Sequence, residues 1–288
     1  ARPPVPNPAR LLPPRQRHIP PITALDWGIT NDFIVSTSQD KTARVWQSRC
    51  GLCTRNIAEP QVCWCCAFLP LNNNFFVMGT KQHSGKGGLV KVINVSTGLI
   101  AGTGSTESTV RSLCLDSAGN FLFTGDEAGT ITTFRVKQNG ALQGLSRKTL
   151  GSPLWSLEFK GWYHQGKYLP MILASCKDGS LKLLGVANSP AGTIFFERQL
   201  PCVNNKSLVR AHFCPLLATK QTACVVVGGQ DGVIKIFDLG KRDSKPINQL
   251  AGHGGTVHDI SWSFDENLLA SCDSLGMVYV WKRVLNVL

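Results

Sequence analysis

The side chains best suited to nucleophilic chemistry in this 288-residue chain are His18, Ser36 and Asp40, the three types of a charge-relay triad, with Trp46 close behind. A serine nucleophile also needs an open site and backbone donors aimed at a developing oxyanion, and nothing around Ser36 suggests them. A buried, mutually hydrogen-bonded set is sufficient reason for these residues, because buried polar groups must be paired. Cys50-Gly-Leu-Cys53 is a CxxC pair with Cys63, Cys65 and Cys66 nearby, so zinc or redox chemistry comes into view. Against it, Cys63 and Cys66 fall on core-facing positions of a predicted strand, as Val257 and Ile260 do, and cysteine behaves as a small buried hydrophobe. Gly85-Lys86-Gly87-Gly88 is glycine-rich and basic, but a phosphate loop needs Ser or Thr after the Lys and a helix beyond it. Here Gly follows Lys and strands flank the segment, which therefore reads as a long turn that could serve as a partner-contact loop. No HExxH and no paired carboxylates occur, and acidic residues fall mostly in turns. The expectation is no catalytic residue, no metal site and no cofactor: a chain that is not an enzyme.

The elements that position these residues come from an internal repeat. The stretches Phe33 to Trp46, Phe121 to Phe134, Ile172 to Leu184, Val225 to Phe237 and Leu268 to Trp281 share one pattern. Each has an apolar strand, small residues, a polar turn and an alternating strand closed by a large apolar residue. A looser copy, Phe75 to Ile93, carries the enlarged turn at His83 to Gly88. A further strand precedes each pair, at Ile22 to Trp27, Cys63 to Phe68, Val110 to Leu115, Leu154 to Phe159, Val209 to Cys214 and Val257 to Trp262. No window shows helical periodicity over several turns. A repeat of roughly 40 to 55 residues with about four strands is one sheet of a radial array, which hides sheet faces against neighbours and leaves only short edges.

The copies resemble WD40 repeats: His before the first strand, small residues after the second, Asp in the tight turn, Trp closing the third. The resemblance covers about Ile22 to Arg283 and implies an all-β WD40 β-propeller with six recognisable blades over residues 22–288. Either the ring closes with six, or a longer form adds a seventh. The Pro/Arg-rich arm, residues 1–21, suits coil or a sheet edge, and Val284 to Leu288 could supply the fourth strand of the last blade. The resemblance also makes His18, Ser36, Asp40 and Trp46 a structural tetrad. The last repeat keeps His253, Ser271 and Trp281, but Leu275 stands at the turn Asp position, as Ala128 does in the third repeat. Asp178 and Asp231 keep the turn, whereas Leu184 and Phe237 replace Trp.

Net charge is +12, with Arg2, Arg10, Arg15 and Arg17 ahead of the first acidic residue, Asp26. Such a surface could attract acidic proteins, nucleic acid or anionic membrane, or be no more than a solvated basic exterior. Eleven cysteines, an odd number, and an N-terminus that is not apolar fit free thiols in a reducing compartment. No run of about 18 apolar residues is present, so no transmembrane helix is expected.

Aligned on the leading apolar residue of each first strand, the next residues are Thr23, Trp64, Arg111, Trp155, Arg210 and His258, with turn residues Lys41, Lys177 and Gln230 flanking the same surface. In WD blades this position lies near the rim of the central channel. Trp and Arg are the types most enriched at binding hot spots. The alternative is that the tryptophans pack between blades and the arginines pair with turn acids. The resulting expectation is a scaffold or adaptor, nuclear and/or cytoplasmic, whose rim binds an acidic or extended peptide of a partner protein. The family resemblance implies nuclear adaptors linked to transcriptional control. The second reading is an RNA- or DNA-associated propeller using the basic surface and arm.

Overall fold

The computed structural model describes residues 17–283, apart from 83–84, 86, 165–166, 188, 201–208, 216–222, 242–244 and 264. Among the described residues every regular element is a strand. The strands form six antiparallel sheets, each paired in chain order. The first holds β1 (Ile22–Trp27), β2 (Phe33–Ser38), β3 (Thr42–Gln47) and β4 (Leu52–Ala58), and the second β5 (Cys63–Leu69), β6 (Asn72–Lys81), β7 (Gly88–Asn94) and β8 (Ile100–Thr106). The third holds β9 (Val110–Leu115), β10 (Phe121–Asp126), β11 (Thr130–Val136) and β12 (Leu142–Thr149). The fourth holds β13 (Leu154–His164), β14 (Lys167–Cys176), β15 (Leu181–Val186) and β16 (Ile194–Leu200). The fifth holds β17 (Ala211–Phe213), β18 (Cys224–Val227), β19 (Val233–Asp238) and β20 (Asn248–Ala251). The sixth has three described strands, β21 (Val257–Trp262), β22 (Leu268–Asp273) and β23 (Val278–Lys282). This is a six-bladed β-propeller, as the repeat implies. Most of the arm (residues 1–16) and the tail offered as a sixth-blade strand (284–288) lie outside the described residues, as do His83, Ser84 and Lys86 of the enlarged turn.

Alternation along each strand sends apolar side chains to both faces, and neighbouring blades bury them against one another. Val35, Ala43 and Val45 of the first blade meet Phe68, Phe76 and Met78 of the second. Val90 and Val92 meet Leu113, Leu122 and Phe134. Three further clusters repeat this from the third blade to the fourth, the fourth to the fifth and the fifth to the sixth.

The tetrad residues of the first blade form one hydrogen-bonded chain. His18 Nδ1 lies 2.7 Å from Asp40 Oδ2, His18 Nε2 lies 2.8 Å from Ser36 Oγ, and Trp46 Nε1–H donates to Ser36 Oγ at 2.8 Å. Burial opposes the Asp40 charge, but hydrogen bonds from Thr42 and His18 hold its carboxyl below the ordinary range. The sixth blade corrects a sequence expectation. Its acid is not missing at Leu275; Asp273 supplies it from the end of β22. His253 Nδ1 is 2.9 Å from Asp273 Oδ2, His253 Nε2 is 2.6 Å from Ser271 Oγ, and Trp281 Nε1–H donates to Ser271 Oγ at 2.8 Å. The other carboxylate oxygen of Asp273 accepts the Leu275 and Met277 backbone N–H groups, organising the turn. Asp126 does the same for Ala128 and Thr130, so the third blade also keeps its acid at the strand end. There burial raises the Asp126 pKa.

A stability comparison follows. His18→Ala unpairs a buried chain and is expected to cost about 1–3 kcal/mol. Ser274→Ala removes one 3.1 Å bond to the Thr256 N–H at an exposed turn and should cost under about 0.5 kcal/mol. Equal midpoints in urea unfolding would contradict the tetrad assignment.

Candidate protein-interaction surface

Five of the six aligned rim residues share a backbone device. The ladders between first and second strands skip one residue at Thr23, Trp64, Arg111, Trp155 and His258. Such a β-bulge leaves its extra residue out of the pairing and re-aims its side chain. The rim set is thus the set of bulged residues, with Arg210 just ahead of β17 completing it.

The structure brings these side chains into two groups. In the first, the Arg111 guanidinium sits 3.6 Å over the Trp64 ring and 5.9 Å from the Trp155 ring. The Lys177 ammonium also lies 5.9 Å from the Trp155 ring. Arg111 Nε donates to Glu127 Oε1 at 2.7 Å, and its Nη2 reaches the same oxygen. Burial works against the Glu127 carboxylate, yet Arg111 and Thr109 hold its pKa down, with Lys81 adding positive potential. This group therefore joins two tryptophans with three cations and one balancing acid.

The second group is an ion-pair clamp. Arg210 donates from Nη1 to Asp259 Oδ2 at 2.8 Å and from Nη2 to the Thr23 carbonyl at 2.7 Å. It therefore ties the fifth blade to the sixth and to the first. His212 Nε2 lies 2.8 Å from Asp259 Oδ1, and its Nδ1 lies 3.3 Å from Glu158 Oε2. Burial disfavours the imidazolium, but the two carboxylates push the His212 pKa up to about 10. Burial would raise Asp259 as well, yet His212 and Arg210 hold it at about 2. Both arginines thus follow the pairing alternative, Arg111 with Glu127 of the adjacent turn and Arg210 with Asp259 of a neighbouring strand. Thr23 is also committed to structure, its hydroxyl 2.6 Å from the Cys63 carbonyl. Lys41 and Gln230 are exposed in the turns of the first and fifth blades, Lys41 at a φ of 64°.

Sequence reasoning missed Glu127, Lys81, Glu158, His212 and Asp259. Pairing across blades 49 residues apart, as between Arg210 and Asp259, leaves no local signature.

The cysteines divide by environment. Cys63 and Cys66 are buried against Val35 and Val45, and burial pushes each thiol up to about 12. Cys50 is exposed and Cys53 partly so. Among the described residues no three metal-ligating side chains come together. A thiol-reactive probe on the native protein is expected to label Cys50 well before Cys63, Cys65 or Cys66, read by peptide mass spectrometry. Labelling of the buried three at the Cys50 rate would contradict the core packing.

The fold defines a class: the chain is a six-bladed β-propeller, and the tetrads of its first and sixth blades resemble those of WD repeats. The family model described as WD domain, G-beta repeat matches residues 15–47 and 244–282, the segments that hold the two complete tetrads. Among curated proteins the chain is 22% identical over 269 residues to Jouberin of Mus musculus, with 88% of this chain and 24% of that protein aligned. It is 28% identical over 173 residues to an F-box/WD-40 repeat-containing protein of Arabidopsis thaliana, with 59% of this chain and 29% of that protein aligned. The chain therefore spans about a quarter of the length of these relatives. Among solved structures, the β-propeller domain of Cps50 (Swd1) from Myceliophteria thermophila superposes with a TM-score of 0.69 at 14% identity, over 91% of this chain and 84% of that one.

Proposed function

We propose that this propeller is a non-catalytic scaffold that binds an acidic or extended peptide of a partner protein at its channel rim. WD40 propellers are typically protein-interaction scaffolds, and the observation that carries the reading here is the Trp64–Arg111–Trp155 stack with Lys177 beside it. Rigid aromatic rings give contact area at low entropic expense, and desolvated cations recognise carboxylates. Arg111 spends Nε and Nη2 on Glu127 and retains a further edge for a partner carboxylate. In this division Trp64, Arg111, Trp155 and Lys177 make the contacts, with His258, Lys41 and Gln230 around them. Arg210 and Thr23 hold the rim's shape.

The setting proposed is a nuclear and/or cytoplasmic regulatory complex. Its support is the resemblance of segments such as NDFIVSTSQDKTARVW from Asn31 and DENLLASCDSLGMVYVW from Asp265 to WD repeat-containing protein 13.

Affinity capture from cells tests the rim. Arg111→Ala/Lys177→Ala is expected to lose partners that the parent retains, while the melting temperature stays within about 3 °C. A double variant that keeps every partner would overturn the reading. Nucleic-acid capture with a log–log salt slope of several units would favour the alternative instead.

A further inference from the structure

We propose that the groove between the outer strands of the second and third blades docks an extended peptide of a partner protein. The peptide seats a large aliphatic or aromatic residue over Phe134, beside an acidic residue. The groove has a volume of about 530 Å³. Thr103 and Gly104 of β8 form one wall, Gly144 and Arg147 of β12 the other, and Thr132 and Phe134 of β11 lie between them. Its opening traces to Gly144. Eight described glycines lie in strands, and a Cβ on seven of them would come within 2.6 Å of another atom, so close packing accounts for those seven. At Gly144 the nearest neighbour would be the Phe134 ring at 4.0 Å, and its φ is not positive. Neither space nor backbone conformation requires glycine there. At the same register position blades one, two and four carry side chains: Cys53 opposite Trp46, Ile100 opposite Ile93 and Phe196 opposite Leu184, where the third blade sets Gly144 opposite Phe134. All four ladders bulge at this point, so the bulge does not require glycine either. A strand glycine with no packing role in its own fold is a place where another chain can approach closely.

The walls describe the occupant. The slot over Phe134 is the place that Ile100 and Phe196 fill in their own blades, so a large apolar side chain suits it. Thr132 in the floor is buried, and its hydroxyl has no partner among the described residues. Buried hydroxyls call for a partner, and the carbonyls of a seated peptide can supply it. Arg147 is the one charged residue among those described along the groove. Its partner Glu107 is 2.8 Å away, yet both side chains are about half exposed, so the pair is weak and open to exchange with a carboxylate of the occupant. From Leu142 to Arg147 the β12 wall runs roughly 17 Å at about 3.3 Å per residue, the span of an extended peptide of about six residues.

The groove lies between outermost strands and the rim on the first strands, so either proposal can fail alone. A photo-crosslinking amino acid is placed at position 103 or 145 of the full chain in cells, with position 71 as an exposed control. The expected result is one segment of one partner polypeptide linked from both walls and not from the control, with a large apolar residue and an acidic residue within it. Links to this polypeptide itself, different proteins at the two walls, or no links above the control would each overturn the proposal. Gly144→Ile, which copies the second blade, is the second arm. It should lower linking from position 103 at least tenfold, while the melting temperature of the purified chain holds or rises, because β-branched residues suit strands better than glycine. Persistent linking, or a melting temperature lowered by more than about 2 °C, would count against a slot left open for a partner. Arg147→Glu should lower linking at least fivefold, and unchanged linking would contradict the carboxylate contact that defines the occupant. Links lost in Arg111→Ala/Lys177→Ala would belong to the rim and refute a separate site.

Discussion

His253→Ala is expected to destabilise the propeller by about 3 kcal/mol, the largest effect of any single tetrad change. The His253 and Asp273 side chains are both 0% exposed, against 3% and 15% for His18 and Asp40, so the sixth-blade network has less access to substitute water. Removing the imidazole leaves a carboxylate oxygen and the Ser271 hydroxyl without their shared partner. It also removes a ring whose centroid lies 4.5 Å from that of Tyr279 in an edge-on contact. The order expected in urea unfolding is His253→Ala, then His18→Ala, then Ser274→Ala. A His253→Ala loss below about 0.5 kcal/mol would mean that packing alone carries the sixth blade.

The second large effect concerns His212 and depends on pH. Its folded pKa of about 10 exceeds the ordinary 6.5 because Asp259 and Glu158 stabilise the imidazolium. Protonated His212 therefore stabilises the native state fully below about pH 6.5, and that contribution fades as pH rises towards 10. Asp259 runs the other way: its folded value of about 2 lies below 3.8, so its contribution is present above pH 3.8 and is lost as pH falls towards 2. Solvent reaches 30% of the His212 and 36% of the Asp259 side chain, which screens the interaction. A discounted figure of about 2 kcal/mol is expected for His212→Ala at pH 6, shrinking by more than half at pH 10. A penalty that is flat between those pH values would refute the charged clamp.

Much of the fold was legible because blades repeat. Ile22 to Trp27, Val110 to Leu115 and Val257 to Trp262 coincide with observed first strands, since alternation, turn residues and period all agree there. Alignment grouped Thr23, Trp64, Arg111, Trp155 and His258, but it did not show that they are bulged, because a bulge is a property of pairing register between two strands. The sixth-blade acid was misread for a related reason. Alignment on the turn pointed to Leu275, whereas the carboxylate enters from Asp273 at the strand end, two residues earlier, and still reaches His253. The partners of Arg111 and Arg210 divided along the same line. Glu127 lies in the adjacent turn, within reach of sequence reasoning, whereas Asp259 comes from another blade.

Hydrogen–deuterium exchange on the chain with and without its captured partner bears most directly on the rim as the binding surface. Binding at the Trp64–Arg111–Trp155 stack predicts slowed exchange in the peptides spanning those three bulges, absent with Arg111→Ala/Lys177→Ala. Unchanged exchange at all three bulges, with protection confined to the outer strands β4, β8 and β12, would place the partner elsewhere and contradict the account.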